Sequence, residues 1–254
     1  GSLYAQGLNM ITESVPVIKL TTGPQTVLDN ESHWAIRGAF IRLNYIYDNR
    51  YLFEMNGRYD GTSKFPTASR FKFFPSFSAG WRISEEKFME KTKPVLSNLK
   101  LRGSYGNLGN QDVSNYAYIS TYGLTSQVPY IINGVSPLGI SAPGLVSADL
   151  TWETATTLDF GLDATLFNKL TLNYDWYNRK TKDILTAAEK LPSVLGVSVP
   201  KKNSGVMKTT GWEYSAKWND KVTELNYDIA FTLSDYQSAI VSYSGNPPKL
   251  ISSL

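Results

Sequence analysis

The titratable side chains of this sequence offer little for catalysis. His33 is the only histidine, and the chain has no cysteine. A zinc site needs several His or Cys ligands, and a nucleophile triad needs a histidine beside its nucleophile. His33 instead stands next to a predicted loop with no such partner nearby in sequence. We therefore predict that the protein is not an enzyme and has no catalytic residue, metal site or cofactor.

Carboxylates recur in segments that alternate polar and apolar residues. Two carboxylates at a suitable separation can hydrolyse a glycosidic bond, so this set could in principle supply such a pair. Its members are Glu54, Asp159, Asp163, Asp175, Glu213 and Asp228. Basic residues share the same predicted face, namely Arg58, Arg82, Lys100, Arg102 and Lys217. A face with balanced charge is typical of a surface in contact with water, and we favour that interpretation over catalysis.

Three glycines have the spacing of a phosphate-binding loop. Gly103, Gly106 and Gly109 follow a predicted strand, but neither a helix nor a P-loop lysine comes after them. A phosphate site of this kind needs both the helix N-terminus and the lysine. The sequence therefore predicts turn geometry for these glycines rather than nucleotide binding.

The longest predicted connection, residues 107–149, is rich in Gly, Ser, Asn, Pro and Tyr. Connections of this length in compact proteins are usually functional. Its tyrosines present flat faces that could stack on sugar rings. The candidate substrate-binding residues are Tyr116, Tyr118, Tyr122 and Tyr130. Loop tyrosines also pack against other loops, and both interpretations stay open.

Eight segments alternate apolar and polar residues with period two, which indicates strands with one apolar and one polar face. The clearest is 51–60, where Tyr51, Phe53, Met55, Gly57 and Tyr59 are interleaved with Leu52, Glu54, Asn56, Arg58 and Asp60. The predicted strands cover 34–47, 51–60, 73–84, 99–105, 157–166, 170–176, 211–218 and 225–234. Before them, 1–32 reads as a surface loop with at most one short strand at 15–20, because Pro16, Gly23 and Pro24 interrupt it.

Short and long connections alternate along the chain. Tight turns are predicted at 48–50, 168–169 and 219–224, and long loops at 61–72, 107–149 and 178–204. Between strands three and four, Ser84 followed by Glu85 and Glu86 predicts a short capped helix over 85–92. Short turns on one rim and long loops on the other are typical of outer-membrane barrels.

Aromatic residues and charge fit the same class of protein. Trp212 and Trp218 lie about 20 Å apart along one predicted strand, close to the ~25 Å apolar band of such barrels. Tyr47 and Tyr51 flank one turn, so two aromatic belts are predicted. No run approaches the ~20 apolar residues of a transmembrane helix. The net charge of +3, with scattered Lys and Arg, gives no footprint for nucleic acid.

Four segments combine strand pattern and turn residues: RYDGTSKF at 58–65, FPSFSAGWRI at 74–83, LKLRGSYGNLGNQ at 99–111 and the stretch from Trp152-Glu153 onward. Together they resemble the C-terminal barrel half of SusC/RagA-type TonB-linked outer-membrane transporters. The resemblance covers nearly the whole chain. It is weaker at Thr209-Thr210, where the family pattern has a more polar pair.

The resemblance implies an all-β fold, in which about eight antiparallel strands form a segment of a roughly 22-stranded transmembrane barrel with long extracellular loops. Residues 1–254 would then be an incomplete barrel domain without the plug domain and the remaining strands. It further implies import of oligosaccharides or peptides across the bacterial outer membrane. The implied partners are a SusD-like lipoprotein, TonB acting through the absent N-terminal region, and outer-membrane lipid.

Two other folds are compatible with alternation alone. One is a soluble or surface-attached β-rich carbohydrate-binding module, and the other is a small barrel that these eight strands close by themselves. The module would bury its apolar residues against a second sheet, whereas a membrane barrel would turn them outward. The residues that distinguish the two are Leu158, Phe160, Leu162, Tyr227, Ile229 and Phe231.

Overall fold

The structure is a computed structural model that describes residues 2–9, 17–125, 131–132, 134, 137, 139–188, 192 and 199–243. The chain divides into two compact units, Gly1–Ala35 and Ile36–Leu254. Within the described residues, no helix is long and apolar enough to cross a membrane.

The first unit contains a pair of strands that the sequence did not reveal. Strands β1 (Ser2–Gly7) and β2 (Gln25–Asn30) pair antiparallel. Ile18–Leu20 forms a 3-10 helix, so the strand predicted at 15–20 is wrong over that part; residues 15 and 16 lie outside the described residues. Both strands are short and lack an apolar alternation. The two strands pair through backbone hydrogen bonds between segments that are distant in sequence. The residue pattern within either segment does not predict such pairing.

The second unit is built around an eight-stranded antiparallel sheet whose spatial order follows the chain. Its strands are β3 (Ile36–Tyr47), β4 (Tyr51–Thr62), β5 (Phe71–Arg82), β6 (Leu96–Asn110), β9 (Glu153–Leu166), β10 (Leu170–Ala187), β11 (Lys201–Val222) and β12 (Leu225–Ser242). The short pair β7 (Gly123–Thr125) and β8 (Gly139–Ser141) lies in the long connection. The eight predicted strands are confirmed, and β7 and β8 are additional.

Several strands continue beyond the predicted limits. Strand β10 ends at Ala187 rather than at 176, and β11 begins at Lys201 rather than at 211. Each predicted strand ended where the alternation of apolar and polar residues stops. Backbone pairing continues beyond that point because polar residues on both faces of a strand can be solvated by water. The connection between β10 and β11 is therefore shorter than predicted.

Two of the tight turns have the backbone geometry that favours hairpins. Asp48 and Asn49 have φ values of 48° and 53°, and Phe167 and Asn168 have 55° and 56°. In the first turn, the Arg50 N–H donates to the Tyr47 carbonyl at 3.0 Å. Each turn leaves three residues between the paired strand ends, and its two consecutive left-handed residues match the twist of the flanking strands. The turns predicted at these two positions are confirmed.

The connection between β5 and β6 differs from the predicted capped α-helix. It contains two 3-10 segments, Ile83–Glu85 and Lys87–Thr92, with Glu86 extended between them. Ser84 is buried within the first segment, and its hydroxyl has no hydrogen-bond partner among the described residues, so it is not an N-cap. The backbone at Glu86 stays extended while its carboxylate binds residues of the neighbouring strands.

The predicted turn role of the three glycines is wrong. Gly103, Gly106 and Gly109 all lie inside β6, and none has a positive φ. Gly106 and Gly109 instead allow close packing against β5, since a β-carbon at Gly106 would lie 3.0 Å from Cβ of Ser76. A side chain at Gly109 would come within 2.7 Å of Cε1 of Phe74, whose ring lies over this glycine.

Alternation gives the sheet an apolar face and a polar face. One register row on the apolar face contains Tyr51, Trp81, Leu101, Leu162, Tyr174, Tyr214 and Leu233. This face is uncovered: Phe160 is 53% exposed and Ile229 is 65% exposed, although both side chains are large and apolar. Trp212 and Trp218 both lie on it, and Trp212 stacks on Tyr174. The two aromatic belts stay a prediction.

The sheet is open. In the described strands, β3 and β12 stand at opposite ends of the strand order and do not pair with each other. The eight strands therefore do not close into a small barrel. The uncovered apolar face likewise differs from the buried face that a sandwich-type module would have.

A small hydrophobic cluster at the rim of the long loops holds the second unit's loops to the sheet. We call it the loop anchor, and it consists of Phe65, Phe74, Leu150 and Trp152. Pairing between β5 and β6 begins only at Ser76 opposite Gly106, next to Pro75, which has no N–H to donate. The sheet opens beyond this point, and the Phe74 side chain occupies the opening together with residues of the loops.

Candidate functional site

The polar face of the sheet is the first candidate surface for function. One row across its strands contains Leu52, Gly80, Arg102, Gly161, Asp175, Glu213 and Ser234, which pair directly from β4 to β12. Directly opposed residues share a face of a sheet, so the acidic and basic residues singled out in the sequence lie on one surface.

Arg102 is the centre of the charged network on this face. Its Nε donates to Asp163 Oδ2 at 2.8 Å and its Nη2 donates to Asp163 Oδ1 at 2.8 Å. The same guanidinium contacts Asp175 of β10, with Nη1–Oδ1 at 2.9 Å and Nη2–Oδ2 at 3.1 Å. Arg102 therefore binds carboxylates from two strands, and its two-point hydrogen bond to Asp163 is of a kind that is among the stronger in proteins.

Gly161 makes this arrangement possible. It stands between Arg102 and Asp175 in the register, and a β-carbon there would lie 2.6 Å from Cζ of Arg102. The guanidinium therefore crosses β9 directly over the bare backbone of Gly161. The sequence predicted Gly161 only as a polar-face position, because the register that aligns it with Arg102 depends on pairing between distant segments.

The other predicted carboxylates differ in their surroundings. Glu54 accepts hydrogen bonds from Arg42 Nη2 and Asn56 Nδ2, both at 2.7 Å, and Asp228 lies 3.4 Å from the ammonium of Lys217. Asp159 has no ion-pair or hydrogen-bond partner among the described residues. Most acids on this face are therefore neutralised, as expected for the solvated charged surface predicted from the sequence.

The described residues contain no group of three or more His, Cys, Asp or Glu side chains placed to hold a metal ion. His33 lies in the first unit beside Glu31, with Nε2–Oε1 at 3.0 Å. Both side chains are exposed, which is typical of a surface ion pair.

The rim of the long loops is the second candidate surface. Phe65 and Phe74 pack on the Trp152 ring, with centroids 5.4 and 5.5 Å away. The Trp152 indole N–H donates to the Arg70 carbonyl at 3.1 Å, and the Ser69 hydroxyl donates to the Leu150 carbonyl at 2.5 Å. These contacts attach the end of the long connection to the loop between β4 and β5.

Asn203 of β11 attaches the end of the long connection, at Thr151, to strands β10 and β11. Its Nδ2 donates to the carbonyls of Thr151 at 2.9 Å and Asp183 at 2.7 Å, while its Oδ1 accepts the Thr151 N–H at 3.0 Å. Asp183 has a positive φ of 59° in a register shift of β10, which turns its carbonyl group toward Asn203. One amide side chain thus fixes three backbone groups, a role that sequence pattern alone does not reveal.

The four tyrosines predicted to bind substrate do not have equivalent surroundings. Tyr118 is partly buried and packs on the loop anchor, whereas Tyr122 is 73% exposed and Tyr116 is 44% exposed. Tyr116 also adopts a positive φ of 62°. Tyr130 lies outside the described residues. Substrate binding by these residues stays a prediction, and the packing of Tyr118 gives that residue a structural role.

The opposite rim carries a compact polar cluster around Glu86. Its carboxylate accepts hydrogen bonds from the Tyr51 hydroxyl at 2.7 Å, the Trp81 indole at 3.1 Å and Arg50 Nη1 at 2.9 Å. Hydrogen bonds from Tyr51 and Trp81, followed by that from Arg50, lower the pKa of Glu86 below its ordinary value. Glu86 therefore connects the first hairpin turn to the end of β5.

Comparison with protein families gives one match that spans almost the whole chain. Residues 6–254 match the family described as TonB dependent receptor-like, beta-barrel. This match includes all eight strands of the sheet.

Two relatives show the extent of the similarity. The chain is 33% identical over 243 residues to TonB-dependent receptor P26 of Formosa agariphila, covering 95% of this chain and 23% of that protein. It is 33% identical over 226 residues to TonB-dependent receptor SusC of Bacteroides thetaiotaomicron, covering 86% of this chain and 22% of SusC. The chain thus spans less than a quarter of the length of these relatives.

A solved structure shares the fold. The structure of the RagAB peptide importer in the closed-closed state superposes with a TM-score of 0.76 at 25% identity, covering 90% of this chain and 25% of the matched chain. The same TM-score is found for the structure described as the RagAB peptide transporter. The eight-stranded sheet therefore corresponds to a section of a larger barrel.

Proposed function

The chain belongs to the TonB-dependent receptor β-barrel family, and from this premise we propose that its sheet forms part of the wall of an importer in the bacterial outer membrane. The apolar face would contact lipid and the polar face would line the lumen. The protein would act as a transporter and not as an enzyme.

One observation carries this proposal: a wide sheet leaves its apolar face uncovered while its polar face bears a connected charge network. Phe160 and Ile229 on the apolar face are more than half exposed, whereas Arg102 on the other face binds two carboxylates. In water such an apolar surface would be covered by another layer. In a membrane barrel, lipid covers it and the lumen solvates the opposite face.

The open edges support the view that the chain is an incomplete barrel domain. Strands β3 and β12 each have one edge without a neighbour among the described strands. Unpaired backbone groups in hydrocarbon cost several kcal/mol each, so a membrane sheet must close through further strands. We propose that a complete barrel of about 22 strands surrounds a plug domain, as in plugged outer-membrane transporters.

For the substrate and the partners, we propose import of oligosaccharides or peptides. SusC is a relative, and the similar RagAB structure is described as that of a peptide importer. The proposed partners are a SusD-like surface lipoprotein that delivers the substrate and TonB, which supplies energy through a region outside this sheet. The exposed loop residues Tyr116 and Tyr122 are the proposed first contacts with substrate.

The test is a deletion of the gene that encodes this chain in its native bacterium. Uptake of labelled oligosaccharide mixtures and peptide mixtures is measured in the parent, the deletion strain and the complemented strain, and the protein is located by membrane fractionation. We expect outer-membrane localisation and loss of uptake of one substrate class, restored by complementation. Unchanged uptake of both classes, or recovery of the protein in a soluble fraction, would contradict the proposal.

A further inference from the structure

Two lysines stand directly opposite each other on the apolar face, at the end of the sheet next to the long loops. They are Lys180 of β10 and Lys208 of β11, and we call them the lysine pair. The register of the two strands is unshifted from this pair to the tight turns at the other rim. Period two therefore places Lys180 on the face of Trp176 and Lys208 on the face of Trp212. Both lysines are exposed, as is Lys182, which follows on the same face of β10.

The lysine pair has no compensating anion among the described residues. Like charges directly opposite each other, with β-carbons about 5 Å apart, destabilise a sheet. The residues opposed to the pair on the flanking strands are Thr156 and Ala239, which are uncharged. Asp235 lies on the same face of β12, but it is about 13 Å along the strand from Ala239. The Asp183 carboxylate lies 3.8 Å from the ammonium of Lys72 on β5.

Cations on the polar face are arranged differently. Arg102 binds Asp163 there, and the ammonium of Lys217 lies 3.4 Å from the carboxylate of Asp228. On that face, opposite charges are placed side by side, which is typical of a surface that is neutralised within the protein. The lysine pair instead brings two positive charges together, which indicates an anion supplied from outside the chain.

The remainder of a complete barrel does not supply this anion. Further strands would join the sheet at its open edges, β3 and β12, whereas β10 and β11 already have neighbours on both sides. A plug domain would fill the lumen, which is on the opposite face of the sheet. The lysine pair therefore faces outward from the barrel wall also in the complete protein.

The height of the lysine pair coincides with the edge of a membrane. Leu170, at the start of β10, pairs with Trp218 at the rim of the tight turns, and Lys180 comes ten residues later. At about 3.3 Å per residue and a strand tilt of about 40°, this distance is about 33 Å along the strand and about 25 Å along the membrane normal. The apolar band of outer-membrane barrels is also about 25 Å tall. The lysine pair thus lies where the lipid headgroups begin, on the side of the long extracellular loops.

From this position we propose that Lys180 and Lys208 bind a phosphate group of a phosphorylated lipid in the outer leaflet of the outer membrane. The flexible lysine stems let both ammonium groups reach one phosphate, and ammonium–phosphate hydrogen bonds are charge-assisted. The acyl chains of this lipid would lie along the apolar rows below, beside Leu158 and Trp176. Lys182 adds a third positive charge near the same headgroup.

This inference rests on the proposed function, because it requires the sheet to stand in a membrane with its long loops outside. The experiment uses the complete protein purified in a neutral detergent, with phosphorylated lipid A as the probe. Its comparison ligands are lipid A from which the phosphate groups have been removed, and inorganic phosphate. Binding is measured by titration in native mass spectrometry, and thermal unfolding is recorded in parallel.

The test variant is the double substitution Lys180→Gln with Lys208→Gln. Each lysine near an anionic lipid surface contributes a factor of about five, so we expect lipid A to bind this variant about 30-fold more weakly than the parent. The matched control is Arg179→Gln, because Arg179 is the next residue of β10 and carries the same charge on the opposite face. This control should bind lipid A as the parent does, and so should Lys180→Arg with Lys208→Arg, which keeps both charges.

Unfolding temperatures give a second readout. Without lipid, we expect the double glutamine variant to unfold at a higher temperature than the parent, since the opposed charges are gone. Added lipid A should raise the unfolding temperature of the parent more than that of the variant, because a ligand stabilises the folded state that binds it. The dephosphorylated lipid should bind the parent about as weakly as lipid A binds the variant, and this comparison stays decisive if the variant folds poorly.

Three results would overturn the lipid site. They are equal binding of lipid A by the parent and the double glutamine variant, equal binding of the phosphorylated and dephosphorylated lipids by the parent, and displacement of lipid A by an equal concentration of inorganic phosphate. Each of these results refutes the lysine site and leaves the transport function unaffected. Normal uptake in the deletion strain, in contrast, refutes the transport function.

Discussion

The guanidinium of Arg102 and the carboxylate of Asp163 form a two-point contact between β6 and β9, with both N–O distances at 2.8 Å. Arg102 extends the contact to Asp175 on β10, passing over Gly161. Three strands are therefore linked on the polar face by one side chain in addition to their backbone hydrogen bonds. The contact depends on the absence of a side chain at Gly161.

Gly161→Ala tests this dependence. Its β-carbon would stand 2.6 Å from Cζ of Arg102, so the guanidinium must move and its contacts must weaken. We expect the free energy of unfolding to fall by about 1–3 kcal/mol, the usual cost of overpacking. The measurement is urea unfolding of the complete protein in detergent micelles, followed by tryptophan fluorescence.

Gly103→Ala is the control for this change. Gly103 lies on neighbouring β6, and a β-carbon there would lie 3.5 Å from the Phe160 ring and 3.9 Å from the Asp159 carbonyl oxygen, which are ordinary van der Waals distances. Its unfolding midpoint should stay close to that of the parent. Equal midpoints for the two alanine variants would show that Arg102 moves aside without cost.

Asn203→Ala tests the attachment of the long connection. The substitution removes three hydrogen bonds to the backbone of Thr151 and Asp183. Leaving such groups without partners costs about 1–3 kcal/mol, which corresponds to an increase of about 5- to 150-fold in the population of the opened loop. We expect proteolytic cleavage within 111–152 to accelerate accordingly, measured by limited digestion and mass spectrometry.

Asn173→Ala serves as the comparison, since the Asn173 side chain makes a single hydrogen bond, to Ser215 at 3.1 Å. Its cleavage rate should match that of the parent. If Asn203→Ala is cleaved no faster than Asn173→Ala, the loop anchor alone holds the connection.

Glu86→Gln gives a prediction about pH at the turn rim. The lowered pKa of Glu86 means that its ionised form is stabilised by folding. This stabilisation is present above the ordinary pKa of 4.5 and is lost as pH falls through the lower pKa of the folded protein. We expect the parent to be more stable than the variant at pH 7, with the difference decreasing toward pH 3, measured by thermal unfolding across this range.

Glu90→Gln provides the reference. Glu90 lies in the same connection as Glu86, but its side chain is exposed whereas that of Glu86 is buried. The unfolding temperature of the Glu90 variant should equal that of the parent at every pH. A stability difference between Glu86→Gln and the parent that stays constant from pH 7 to pH 3 would argue against the ionised carboxylate as the stabilising group.

The loop tyrosines give separable predictions. Tyr118→Ala removes a ring that packs on the loop anchor, so we expect faster proteolysis of the long connection. Tyr122→Ala removes an exposed ring and should leave proteolysis unchanged while weakening substrate binding. Proteolysis rates and uptake are measured for both variants. Normal uptake by the double variant Tyr116→Ala with Tyr122→Ala would show that these tyrosines do not bind substrate.

Strand number, strand faces and hairpin turns could be predicted because each depends on neighbours in sequence. Tyr51 to Asp60 alternates except at Leu52, and Asp48-Asn49 is suited to the positive φ values found there. The resemblance to a barrel family added the larger architecture. The sheet order confirms the eight antiparallel strands and the family match confirms the barrel family, while the strand number of the whole barrel and the plug domain stay predictions.

Features that depend on contacts between distant segments were missed. The pairing of β1 with β2, the register of Gly161 with Arg102 and the bonds of Asn203 to Thr151 all join segments that no local period connects. The glycines of β6 were misread for the same reason, since the Phe74 ring that covers Gly109 comes from another strand. Spacing alone cannot distinguish a glycine needed for a turn from one needed for packing.

The central claim is that lipid contacts the apolar face of this sheet. Residues 1–254 contain no cysteine, so one introduced cysteine gives one labelling position within them; the positions are Phe160 and Ile229 on the apolar face and Ser215 and Thr232 on the polar face. Any cysteine elsewhere in the complete protein is first replaced by serine. In liposomes containing the complete protein, we expect the first pair to collide with membrane-dissolved oxygen and the second pair with a water-soluble nickel reagent. Immobile labels at Phe160 and Ile229 without access to oxygen would contradict the account, because they would place protein against this face.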